Sequence, residues 1–263
     1  MGYALELIGF TTVNPGATLT AATPSPGDSF TIRNFNPSSV ATLQNMWADQ
    51  ATAGVLRIRS PRLHDNLQNL RFNITAATPH PLMPDWMEQI LYPQDLLVVE
   101  QTGGGAETEA GAMEIYYLDL PGTQARLFRW SELRPRIRNY VTVVNAITTS
   151  ASIGTWAPGQ ALNATFDTLK ANVDYAVLGY DTDAQVTAVA LRGIDTGNLR
   201  VGGPGTSSRI ETRDWFVRQA TRDDMPMIPV INAANKGSIV VDAIDNAAST
   251  AVNVNWLLAE LAP

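Results

Sequence analysis

Apolar and polar positions alternate along this chain in short runs, interrupted at close intervals by Gly, Pro, Asn and Asp. A period of two broken by turn formers predicts short strands and tight connections. In the first half the pattern predicts strands at about Leu5 to Val13, Thr18 to Thr23, Ser29 to Phe35, Gly54 to Ser60, Asn69 to Thr75, Leu96 to Thr102 and Ala112 to Leu120. The segment Val40 to Trp47 carries two readings. Its Val40, Leu43 and Trp47 spacing suits a helix behind Pro37-Ser38, while the matching Asp174 to Tyr180 looks like a strand.

Two segments read as short helices. Pro84 to Leu91 has Pro and Asp at its start, apolar Trp86 and Ile90, and Pro93 just beyond its end. Glu211 to Ala220 follows Ser207-Ser208 and offers Trp215 and Phe216 for burial. Gly103-Gly104-Gly105 and Asn235-Lys236-Gly237 supply residues that tolerate positive φ, as a hairpin between the last two strands of each half requires. Gly202-Gly203-Pro204-Gly205 reads as a turn. Alternation directs Leu56, Ile58, Leu70, Phe72, Val98 and Ile115 inward in the first half, and Val189, Leu191, Leu199, Val201, Ile228 and Val254 in the second.

The pattern occurs twice. Asn69-Leu70-Arg71 and Asp85-Trp86 recur as Asn198-Leu199-Arg200 and Asp214-Trp215, with the same shift from 69 to 198 as from 85 to 214. Upstream, Pro26-Gly27 answers to Pro158-Gly159, and Trp47, Ala51, Leu56, Ile58 and Arg59 answer to Tyr180, Ala184, Val189, Leu191 and Arg192. Several matches in one order imply a structural unit used twice. The division is 1–124 and 139–263, joined by a connector at 125–138. A chain of 263 residues, 45% hydrophobic and 16% charged, is long enough for two such units. No apolar run approaches the roughly 18 residues of a membrane span, and no secretory leader is read at the N-terminus. The absence of cysteine excludes disulfides, thiolate metal sites and cysteine nucleophiles.

Counting the ambiguous segment, each half is about eight strands with a short helix before the last two, an all-β arrangement of two tandem jelly-roll sandwiches. In this layout the chain resembles the double jelly-roll major capsid proteins of icosahedral viruses with an internal membrane. That family commonly carries a helix between the sixth and seventh strands of each jelly roll, where Asp85-Trp86 and Asp214-Trp215 fall. The resemblance covers the whole chain, rests on order and duplication, and leaves no room for the tower-forming insertions of larger members. It implies a pseudo-hexagonal homotrimer in a virion capsid, made in the host cytoplasm. Its partners would be neighbouring capsomers, other virion proteins and an underlying membrane, with no sequence-specific nucleic acid. A bacteriophage is the expected source. The alternative is a tandem carbohydrate-binding or adhesin module.

Candidate chemistry changes this picture little. A cupin-type metal site needs a cluster of histidines, and only His64 and His80 exist, both expected in exposed loops. No Gly-x-Ser-x-Gly elbow surrounds a serine. The acid pairs Asp223-Asp224, Glu107 with Glu109 and Asp181 with Asp183 lie in polar, turn-like sequence and read as solvated charge. The glycine-rich stretches lack the Lys-Ser/Thr of a phosphate loop. No enzyme, cofactor or metal is expected. Asn73-Ile74-Thr75 and Asn163-Ala164-Thr165 match the glycosylation pattern, which has meaning only in a secreted protein.

Basic residues say more. Only Lys170 and Lys236 are lysine among 18 basic residues, a bias that fits either a GC-rich genome or a surface buried in contacts. Arg126, Arg129, Arg134, Arg136 and Arg138, interleaved with Phe128, Trp130 and Tyr140, fall where the halves join. Such a run suits an anionic surface or an inter-domain connector paired with acids; the net charge of −7 argues against a nucleic-acid binder overall. These arginines, Trp130, Trp86 and Trp215 are the candidate interface residues.

Overall fold

The computed structural model describes every residue except Met1, Pro37, Ala76, Ala77, Thr123, Gln124, 163–168, 207–209 and Asp223. The first half forms β1 (Gly2–Val13), β2 (Thr20–Ala21), β3 (Thr23–Pro24), β4 (Val40–Asp49), β5 (Gly54–Arg59), β6 (Leu70–Ile74), β7 (Gln89–Leu91), β8 (Val98–Thr102) and β9 (Thr108–Leu120). They make two antiparallel sheets, in the orders β3-β1-β9-β4-β7 and β2-β8-β5-β6. The second half forms β10 (Leu127–Phe128), β11 (Ile137–Thr148), β12 (Ala157–Ala161), β13 (Asp174–Thr182), β14 (Val186–Arg192), β15 (Val201–Gly205), β16 (Ile228–Asn232), β17 (Val240–Ile244) and β18 (Ala251–Leu261). Its sheets run β10-β16-β13-β18-β11 and β12-β17-β14-β15. Apart from the short pieces β3 and β10, the two halves carry the same strand order. Each is a jelly-roll sandwich of two four-stranded sheets. The repeated Asn has a local cause: Asn69 and Asn198 both adopt positive φ, 38° and 60°, immediately before β6 and three residues before β15, a conformation Asn tolerates better than most residues.

The sandwiches stack. Residues of the β1-β9-β4 sheet point alternately into their own core (Ile8, Met113, Ile115) and outward into the second core (Leu5, Leu7, Trp47, Ala112, Tyr116). The outward set meets the β14-β15 sheet, where the Leu7 amide donates to the Arg200 carbonyl at 2.8 Å and Trp47 Nε1 to the Thr187 carbonyl at 2.8 Å. This seam explains the ambiguous segment. Val40 to Trp47 lies within β4, whose residues from Ala41 to Asp49 are all buried. A strand covered on both faces shows no alternation for a sequence reading to find.

Other expectations shift for similar reasons. Gly202 to Gly205 lies inside β15, not in a turn: a Cβ on Gly203 would stand 2.6 Å from the Trp215 ring and the Tyr180 hydroxyl, so glycine makes room for the indole. Ser29 to Phe35 makes only an isolated bridge, Thr31 with Leu96. Asn235-Lys236-Gly237 connects β16 to β17, and the final hairpin turns at 245–250 instead. Val99 rather than Val98 enters the first core, while Leu70, Phe72 and Leu199 pack at its margin; the remaining expected core residues are buried.

The expected pair of helices is one-sided. In the second half α2 (Ile210–Arg213) and α3 (Trp215–Arg222) precede the last three strands, whereas Asp85-Trp86 in the first half is a turn leading into β7. A helix this short is marginal unless a face packs. Trp215 is 2% exposed and meets Trp47 edge-on at 6.1 Å; Trp86 is 82% exposed, and Pro79, Pro81 and Pro84 precede it. The matched dipeptides therefore sit in unlike environments. A third helix, α1 (Trp130–Leu133), follows β10. Among the described residues no helix is long and apolar enough to cross a membrane.

Trp47→Ala should cost about 3–5 kcal/mol in urea denaturation, because it empties the seam. Trp86→Ala should stay within about 0.5 kcal/mol. Similar losses for the two would contradict the burial described.

Candidate assembly interface

The outer face of each β14-type sheet carries one acid held by arginines. In the second half Asp242 on β17 is fully buried and accepts from Arg192 Nε at 2.8 Å and Arg200 Nε at 3.0 Å. Arg200 then crosses the seam. Its Nη1 lies 2.6 Å from Asp28 of the first half, and its guanidinium stacks 4.8 Å from the Trp156 ring. Trp156 Nε1 and the Gly9 amide also donate to Asp28, at 2.7 and 2.8 Å. Burial nevertheless raises the Asp28 carboxyl above its ordinary range against the pull of Arg200.

The first half repeats the device without a partner. Glu100 on β8 holds Arg57 at 2.6 Å and Arg59 at 2.9 Å on the face opposite the core. Burial pushes its carboxyl up, but the two arginines outweigh it and leave it below the usual value. Arg71, which matches Arg200, is exposed and makes no described ion pair. A complementary asymmetry holds for the opposite faces. On the β1-β9 pair, Leu5 with Tyr116 and Leu7 with Glu114 are covered by the seam. The corresponding β11-β18 face presents Thr142 with Leu257, Val144 with Asn255 and Ala146 with Asn253 to solvent, none of them charged.

The seam also buries acids. Asp49 accepts from Gln185 at 3.0 Å and is pushed up to about 6 by burial and by Asp245. Glu114 accepts from Gln219 of α3 at 2.5 Å. Arg222 of α3 reaches Gln44 at 2.5 Å and Glu88 at 3.3 Å.

The connector arginines divide. Arg126 forks onto Asp174 at 3.0 and 2.7 Å, Arg129 lies 3.6 Å from Asp224, and Arg136 donates to the Ala262 carbonyl at 3.0 Å. These serve the second sandwich itself, as does β10, which pairs with β16. Trp130 is half-buried against the same core. Arg134 and Arg138 are exposed, with no described ion pair, beside Tyr140 at 59% exposure. Trp86, Ile90 and Tyr92 are exposed on and around the edge strand β7, whereas Trp215 is interior to the chain. A cleft of about 290 Å³ lies between the segment around His80 and Asp85 and α3 with Arg218.

Several solvated-loop expectations need correction. Glu109 lies on β9, is 1% exposed and is raised to about 7, by burial first and then by Glu107. Asp181 lies on β13 and pairs with Arg213 at 2.8 Å; Asp183 is exposed in the turn after β13, as its sequence suggests, and accepts from the Asn253 amide, which lowers its carboxyl. His80 is half-buried with Nδ1 2.9 Å from the Thr78 carbonyl, and His64 is exposed. Among the described residues no group of three or more His, Cys, Asp or Glu could hold a metal. Asp223 of the Asp223-Asp224 pair, Ser207-Ser208 and Asn163-Ala164-Thr165 lie outside the described residues. The seam residues Asp28, Asp49, Glu114 and Gln219 were not singled out by any motif. Their only signal is a polar residue within or beside an apolar run.

No protein-family profile matches the chain, and no curated protein matches it. Among solved structures it is similar to the PBSX exported protein XepA, at 10% identity and a TM-score of 0.26, over 97% of this chain and 86% of that one. A likeness of that depth assigns neither activity nor partner.

Arg200→Met should destabilise by about 3–5 kcal/mol, since it strands Asp28 in the seam. Arg71→Met, at the matching but exposed position, should change stability by no more than about 0.5 kcal/mol. Equal losses in thermal or denaturant unfolding would show that the two sites are not differently engaged.

Proposed function

We propose that this is a structural protein of a virus, a bacteriophage by our reading, that builds a shell from head-to-tail copies of its two sandwiches. The observation that supports it is the seam. One sheet type of the first sandwich packs on the other sheet type of the second, and such a heterologous contact necessarily leaves one face of each kind unused. The unused β5-β8 face repeats the acid-and-arginine cluster through Glu100, Arg57, Arg59 and Arg71. The unused β11-β18 face offers an uncharged centre of Thr142, Val144, Ala146, Asn253, Asn255 and Leu257, bordered by the charges of Arg138, Asp181 and Asp183.

Repeating the seam between chains would place the second sandwich of one copy on the first of the next. Three copies would then close a ring of six sandwiches, the pseudo-hexagonal trimer of the double jelly-roll capsid proteins that the layout resembles. Arg134, Arg138, Tyr140 and the Trp86 region would lie at or near subunit boundaries. The partners would be neighbouring copies, other virion proteins and an underlying membrane, the location a virion, and the role non-enzymatic. A tandem carbohydrate-binding or adhesin module is the second reading, favoured by the exposed Trp86 and Tyr92, which could stack on sugar rings.

Native mass measurement should give a trimer at micromolar concentration. Ala146→Glu, a charge set among the uncharged central positions, should yield a folded monomer that still unfolds cooperatively and loses only the stability that assembly adds, and Arg71→Glu should weaken the trimer. A parent chain that stays monomeric would remove the shell reading in favour of the binding module.

A further inference from the structure

Glu114 stands on β9 at the seam, opposite Asn45 of β4, and is 1% exposed. Gln219 reaches it from α3 of the other half, its Nε2 donating to Glu114 Oε2 at 2.5 Å. Two acceptors remain in this pair. Glu114 Oε1 and Gln219 Oε1 are both buried with no hydrogen-bond donor. A buried acceptor left without a donor is costly, and an ionised carboxylate has no hydrogen to offer. One proton on Glu114 Oε1 answers both deficits, because a carboxylic acid and a primary amide can each donate to the other in a closed ring.

The surrounding charges do not supply the missing donor. Arg222, on α3, is the cation that acts on Glu114, but one of its nitrogens is engaged by Gln44 and Glu88. From β13, Tyr180 faces the same carboxyl, its hydroxyl donating to the Pro204 carbonyl at 3.0 Å. Trp215 of α3 also exerts a hydrogen-bonding pull on the carboxyl, but its Nε1 donates to the Gly202 carbonyl at 3.1 Å and Glu114 Oε1 is left without a partner. We infer that Glu114 is a neutral carboxylic acid near neutral pH, and that its reciprocal pair with Gln219 is a latch that holds α3 on the first sandwich until alkaline pH removes the proton.

The electrostatics agree. Burial pushes the Glu114 carboxyl up to about 8, against smaller opposing pulls from Gln219, Arg222 and Trp215. In the unfolded chain it returns to about 4.5. The folded state therefore binds more protons between these values, so the contribution of this group to stability is full below about 4.5, declines as pH rises through about 8, and is flat above.

Glu114→Gln tests the latch, because an amide at this position keeps both hydrogen bonds and cannot titrate. The unfolding constant of the parent relative to Glu114→Gln should rise about tenfold per pH unit from about pH 5 to about pH 8 and then level off. A ratio independent of pH would overturn the proposal. A second readout isolates the group. The infrared difference spectrum between the parent and Glu114→Gln should show a protonated-carboxyl band at about pH 7.5 that disappears by about pH 9.5, accompanied in the parent by a near-ultraviolet circular dichroism change from Trp47 and Trp215. No such band, or a band lost without any change at the tryptophans, would show that Glu114 is ionised or that its proton latches nothing.

Discussion

Everything in this molecule depends on one sheet being covered on both faces. The β1-β9-β4 sheet closes the core of its own sandwich with Ile8, Met113 and Ile115, and lends Leu5, Leu7, Trp47 and Tyr116 to the other. An isolated sandwich would leave that second set in water as a large apolar patch, which soluble monomers rarely tolerate. The halves are thus bound by the same hydrophobic burial that folds each of them. Trp47 and Trp215 mark where the two cores meet.

Polar groups give this contact its register. Asp28, Asp49 and Glu114 are all withdrawn from water, and each is answered from the opposite half, by Arg200, by Gln185 and by Gln219. Such groups add little net stability compared with an apolar seam of the same shape, yet any sliding of one sandwich on the other would leave them unpaired. Arg200 illustrates the division of labour. It joins Asp242 within its own sheet to Asp28 across the seam and lies over Trp156, while its counterpart Arg71 has none of these engagements.

Duplication followed by unequal burial accounts for the differences between the halves. Trp215 found an indole to rest against, so the residues around it form α3. The same Asp-Trp pair in the first half found three nearby prolines and no cover, and became an exposed turn beside an edge strand. Where a repeated residue serves the backbone alone, the copies agree, as with the left-handed Asn69 and Asn198.

The amino-acid order by itself determined the all-β class, the repetition, most strand positions and much of the core, because these follow from local period, turn chemistry and recurrence. Leu56, Ile58, Val189 and Leu191 could be placed inward from alternation alone. What only the tertiary structure decided were features set by the second layer of packing. It made Val40 to Asp49 a strand, because covering both faces erases the period. It put Gly202 to Gly205 into a sheet, because Trp215 needed the space a side chain would fill. It turned Glu109 and Glu114 from apparent solvated charge and unremarked polarity into buried acids. Burial depends on residues distant in the chain that happen to face a position, and no local pattern carries that information.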